Sequence, residues 1–110
     1  IQHFENPEFA LAFARIECHY FINKGFFASD DALLRGIDQI RHIPATIVQG
    51  RYDVVCPMTS AWALHREWPE AELIIVPDAG HAAGEAGNSR ALVAATDRYA
   101  LLNSGRETSM

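Results

Sequence analysis

Two short runs apolar almost throughout, Thr46-Ile47-Val48 and Leu73-Ile74-Ile75-Val76, constrain this 110-residue chain most. Neither alternates, so each reads as a strand covered on both faces, the pattern of parallel sheets flanked by helices. Between them Met58 to Trp68 has helical spacing, with Trp62 and Leu64 on its apolar side and Trp68-Pro69 as its break. After the second strand a further helix starts near Asn88 or Ser89, with Leu92, Ala95, Tyr99 and Leu102 on one stripe. The order strand, helix, strand, helix is a βαβα unit with parallel strands. Two such strands leave two open edges and bury little surface. The chain therefore reads as part of a larger α/β sheet, or as a module whose open edge admits self-association.

Upstream, Asn6-Pro7 suits a helix start, Asn as cap and Pro in the first turn. Phe9, Phe13, Ile16 and Tyr20 carry that helix to about Asn23, where Lys24-Gly25 stops it. Ser29-Asp30-Asp31 is expected to cap a second helix with Leu33, Leu34, Ile37 and Ile40 along one face, ended by Pro44. The polar tail from Asn103 to Met110 is expected to fray. No repeat or low-complexity segment interrupts this order.

Nine basic against fourteen acidic side chains give a net charge of −5, which argues against a nucleic-acid partner. The longest apolar runs are far too short to cross a bilayer, and Ile1-Gln2-His3 does not open a signal peptide, so no membrane partner is expected. Cys18 and Cys56 fit neither a disulfide framework nor a zinc signature, and His3, His42 and His65 show no ligand spacing. They read as free thiols in a reducing, cytoplasmic setting, with no metal and no cofactor.

Ligands of an open parallel sheet sit beyond the carboxyl ends of its strands. Asp53 follows the first strand and His81 the second, 28 residues apart. That spacing brings both to the same sheet edge, where a carboxylate can fix an imidazole's tautomer and leave the other ring nitrogen as general base. The same spacing also suits an Asp that caps the next helix and a His that is only a polar loop residue. Glu17 shares a helix face with Phe13 and Phe21. A carboxylate in an aromatic stripe suits a small cation carrying an apolar ring; a surface Glu bridging Arg15 or Lys24 is the plainer alternative. Gly80, Gly84 and Gly87 do not have the spacing of a dinucleotide-binding loop.

Several words resemble the proline iminopeptidase (prolyl aminopeptidase) family of α/β-hydrolases. They are Ala14-Arg15-Ile16-Glu17-Cys18-His19-Tyr20-Phe21, Gly50-Arg51-Tyr52-Asp53-Val54-Val55-Cys56-Pro57 and Trp68-Pro69-Glu70-Ala71-Glu72-Leu73. Pro77-Asp78-Ala79-Gly80-His81 and Ala95-Thr96-Asp97-Arg98-Tyr99 complete the set, so the likeness runs from about Phe9 to Ala100. The resemblance implies a C-terminal part of an α/β-hydrolase: the end of a helical cap over 1–41 and the last βαβα portion of the core over 42–110. It implies Asp53 and His81 as triad acid and base, and Glu17 as partner of the amino group of a small peptide with a free N-terminal proline. Cys56 matches a thiol near the site and is expected to be a small buried hydrophobe.

The nucleophile should be a Ser in a Gly-x-Ser-x-Gly elbow. None of the five serines has glycine both two residues before and two after it. The chain alone is therefore expected to be inactive. Ala82-Ala83-Gly84-Glu85-Ala86-Gly87 departs from the family's usual residues after the histidine, which puts the rim and the substrate preference in question. An esterase or epoxide hydrolase of the same fold, which would keep Asp53 and His81 but make no use of Glu17, and a noncatalytic assembly module are the rival readings.

Overall fold

The computed structural model of the chain describes residues 5–107; His3 and the last residues of the polar tail lie outside them. Two compact units divide between Gly36 and Ile37.

The first unit is built on α1 (Pro7–Ile22). Asn6 caps it as its sequence suggests, its side-chain oxygen accepting from the backbone N–H groups of Glu8 and Phe9. Its aromatic residues form local pairs, Phe9 with Phe13 at 5.7 Å and, beyond the helix end, His19 and Tyr20 with Phe26 at 5.3 and 5.5 Å. No residue of α1 is buried within the described chain. The expected second helix is only α2 (Ala32–Arg35). Gly36 ends it, its N–H bonding the carbonyl of Leu33 at 3.1 Å, and a separate 3₁₀ turn follows over Ile37–Gln39. Ser29 does not cap it: the hydroxyl is engaged with the Asp31 carboxylate and the Arg35 guanidinium.

The second unit holds the βαβα arrangement. Strands β1 (Thr46–Gly50) and β2 (Glu72–Val76) pair in parallel, Thr46 opposite Glu72 through Gly50 opposite Val76. Helix α3 (Met58–Glu67) connects them, and α4 (Ala86–Glu107) follows; both helices pack on both strands. The core gathers Ile37, Trp68 and Ala71, with Ala45, Ile47 and Leu64 against them. This is why the unit reaches back past residue 42: Ile37 is 5% exposed and belongs to it. The Trp68 indole donates to the carbonyl of Arg41, whose guanidinium bonds Asp38, Glu70 and the carbonyl of Glu67. Tyr99 on α4 meets the Thr46 hydroxyl at 2.6 Å.

The strands are less covered than their apolar runs imply; most of their residues are half-buried. An open apolar recess of about 380 Å³ lies between α3 and β2, lined by Met58, Thr59, Trp62, Leu73 and Ile75. Trp62 is exposed rather than core. Among the described residues no helix is long and apolar enough to cross a membrane.

Candidate active site

Past their last paired residues, the strands stay tied together by their loops. The N–H of Arg51 donates to the carbonyl of Val76 at 2.9 Å, and that of Tyr52 to Ala79 at 3.0 Å. This close approach needs Gly50. A Cβ there would stand 2.1 Å from the carbonyl oxygen of Gly80 and 2.7 Å from that of Ala79, closer than atoms approach. The glycine that ends β1 thus lets the histidine loop close over the acid loop.

The outcome is the contact that decides what the two loops can do. Asp53 Oδ2 lies 3.0 Å from His81 Nδ1. The other carboxylate oxygen accepts two backbone N–H groups, from Cys56 at 2.8 Å and Val55 at 3.0 Å. These bonds, led by that of Cys56 and joined by His81, hold the Asp53 carboxyl below the usual range against the opposing effect of desolvation. The two readings of Asp53 merge: it organises its own loop and also meets the imidazole. With Nδ1 engaged by a carboxylate, the favoured neutral tautomer carries its proton on Nδ1 and leaves Nε2 as acceptor. The Asp53 side chain is 8% exposed and that of His81 55%. The arrangement can therefore hold an oriented base whose partner atom has yet to approach.

Three further side chains brace these loops, and the sequence marked none of them as part of the site. Gln49 is buried, and its amide donates to the carbonyls of Gly50 and Cys56 at 3.0 and 2.9 Å, pinning the far end of the acid loop. Glu85 accepts from the N–H of Gly80 at 3.0 Å and of Ala82 at 3.1 Å. Asn88, 5% exposed, donates to the carbonyls of the same two residues at 3.1 and 3.0 Å. The residues on either side of His81 are thus held at both their donors and their acceptors. Asn88 is consequently not the cap of α4; the helix begins earlier, at Ala86, and the carbonyl of Glu85 receives the N–H of Ser89. Gly87 on its first turn packs where a Cβ would fall 2.5 Å from Val76 Cγ1.

Cys56 corrects an expectation: its thiol is exposed, not a buried hydrophobe, while its backbone N–H is bonded to Asp53. Glu17 is an exposed residue of the first unit, and neither bridge of its plainer alternative, to Arg15 or to Lys24, is found among the described residues. Cys18 is also a free, exposed thiol.

A sequence family described as TAP-like protein, an α/β-hydrolase family, matches residues 12–108. The chain belongs to it. It is also similar to proline iminopeptidases. It is 70% identical over 96 residues to the probable proline iminopeptidase of Leptolyngbya boryana, covering 87% of the chain and 30% of that relative. To the proline iminopeptidase of Arabidopsis thaliana it is 63% identical over 102 residues, 93% of the chain and 27% of the relative. To that of Neisseria gonorrhoeae it is 50% identical over 93 residues, 84% and 30%. The chain thus spans about a third or less of the length of these relatives, and the match falls in their C-terminal part. An α/β-hydrolase segment of that position accounts for a parallel sheet with only two strands.

Proposed function

We propose that this chain is the acid–base portion of a serine exopeptidase that releases N-terminal proline from small peptides. The observation that supports it most is the 3.0 Å contact between Asp53 and His81, on loops braced from both sides. In this reading His81 Nε2 takes the proton of a serine hydroxyl as it attacks the prolyl carbonyl. It then returns the proton to the leaving amine, while Asp53 stabilises the imidazolium between those steps. The serine, its oxyanion hole and the remaining pocket come from sequence preceding this segment in a longer protein, so the chain alone turns over no substrate. The first unit, up to Gly36, is the end of a helical cap, and the second, from Ile37, is the end of the core, which moves the boundary from 41/42 to 36/37. Glu17 contributes a carboxylate for the substrate's free amine. No metal or organic cofactor takes part in the reaction, and the two free thiols suit a cytoplasmic setting.

The test is a hybrid in which this chain replaces the matching segment of the Leptolyngbya relative. The hybrid should release proline from a prolyl peptide and lose that activity with His81→Ala, while the chain alone stays silent. Glu17→Gln in the hybrid should impair substrates with a free prolyl amine and spare simple esters. No loss on either substrate would favour an esterase-type hydrolase, and a folded but inert hybrid would end the peptidase reading.

A further inference from the structure

Cys56 takes no part in the proposed proton transfers, yet the fold places its thiol beside the groups that do. A donor atom from each of Asp53, Cys56 and His81 lies within 4.8 Å of the other two. Carboxylate, thiolate and imidazole are the three donor types that zinc takes from proteins. Asp53 Oδ2 and His81 Nδ1 stand 3.0 Å apart, close to the roughly 3.3 Å that separates two such ligands on one tetrahedral ion with bonds of about 2.0 Å. The Cys56 thiol, exposed and within that 4.8 Å reach, completes a three-sided seat by turning inward. The backbone bonds from Val55 and Cys56 to Oδ1 hold the carboxylate with its other oxygen facing the imidazole, an outer layer of support. The sequence conceals this set because Asp-x-x-Cys with a distant His matches no local metal signature.

We propose that Asp53, Cys56 and His81 bind one soft divalent cation of the zinc type, with water completing the coordination. The ion occupies the place of the proton shared by Nδ1 and Oδ2. That proton moves to Nε2 by tautomeric exchange with solvent, and the thiol proton leaves to solvent. A metal on Nδ1 therefore places a proton on the nitrogen that the dyad needs as acceptor, so the bound ion acts as a reversible block on the base. The binding itself does not rest on the peptidase reading.

The test titrates the 110-residue chain, as Cys18→Ser to leave one thiol, with Co²⁺ as a spectroscopic probe under reducing, oxygen-free conditions. A cobalt–thiolate absorption should grow to one metal per chain and vanish when Zn²⁺ is added. Cys56→Ser, an exposed one-atom change, should abolish the band. His81→Ala and Asp53→Asn should each weaken binding at least about tenfold, the smallest loss usual even for a supporting group. Circular dichroism on the same samples guards against a variant that has unfolded, with His81→Gln as the replacement. No thiolate band at submillimolar Co²⁺ overturns the proposal. So does a band with unchanged affinity in both the His81 and Asp53 variants, which would mean a thiol acting alone. Since peptide turnover is not read, the metal site and the peptidase reading can fail separately.

Discussion

The acid loop and the histidine loop reach the same 3.0 Å contact by opposite routes. The acid loop is organised from within: Asp53 binds the N–H groups of Val55 and Cys56, and Gln49 at the end of its own strand holds the carbonyl of Cys56. The histidine loop is held from its far end, by its own last residue Glu85 and by Asn88 in the first turn of α4, which grip the residues on either side of His81. The exposures follow from this, 8% for the Asp53 side chain and 55% for His81. A group that must only orient and stabilise can be saturated with bonds. A group that must exchange a proton needs a fixed backbone and a free ring nitrogen.

The strongest challenge to this division is Asp53→Asn, read in the hybrid enzyme. An amide can still accept from the loop N–H groups, so the acid loop should survive while the imidazole loses its charged partner. Loss of kcat by about 10⁴ is expected, the scale for an acid that sets the tautomer of a catalytic histidine. A loss below about tenfold would mean the carboxylate serves its loop and little else.

Gly50→Ala attacks both loops at once. The added methyl would sit against the carbonyls of Gly80 and Ala79, backbone atoms that cannot swing aside. Overpacking of this kind costs about 3 kcal/mol, visible as a lower urea midpoint, and should carry activity down with it. Unchanged stability would show that the loops can part without cost, and the distinction between inner and outer bracing would lose its basis.

Glu85→Ala separates the two kinds of bracing. It removes the acceptor for the N–H groups of Gly80 and Ala82 and leaves the acid loop alone. Bonds to a charged acceptor at a solvent-exposed site justify about 1.5 kcal/mol, or roughly a tenfold fall in kcat if the loss appears in the positioning of His81. The readout that distinguishes positioning from plain stability is kcat against KM, with recovery expected for Glu85→Gln, which keeps one acceptor oxygen.

What the sequence made legible follows the same line. The strands, the parallel pairing and the meeting of Asp53 with His81 could be read, because apolar runs and loop positions after strands carry that information directly. Gln49, Glu85 and Asn88 could not. Their role is to bond carbonyl and N–H groups of other segments, and nothing in a one-dimensional pattern marks which backbone groups a fold leaves in need of partners. Asn88 shows the confusion well, since Asn near a helix start reads as a cap and here spends its amide on the histidine loop. Cys56 misled for a related reason. A small apolar-tending residue after two valines reads as buried, but here its N–H bonds the acid carboxylate and its thiol stays in solvent.

The smallest expected effect concerns acid, and it reports first on the inner bracing. The Asp53 carboxyl is held below its ordinary value, first by the N–H of Cys56 and then by His81 and Val55. A depressed folded value means that the unfolded chain binds a proton more readily. The stabilisation is therefore complete above the unfolded value of about 3.9, and is lost as pH falls through the lower folded value. Asp53→Asn should flatten this part of the acid limb in urea unfolding, with fewer protons taken up on unfolding below pH 4. His81→Ala should flatten it less, because the two backbone donors to Asp53 stay in place. If instead the two variants flatten it equally, the imidazole and not the loop backbone sets the acid's charge, and the acid loop is braced from outside after all.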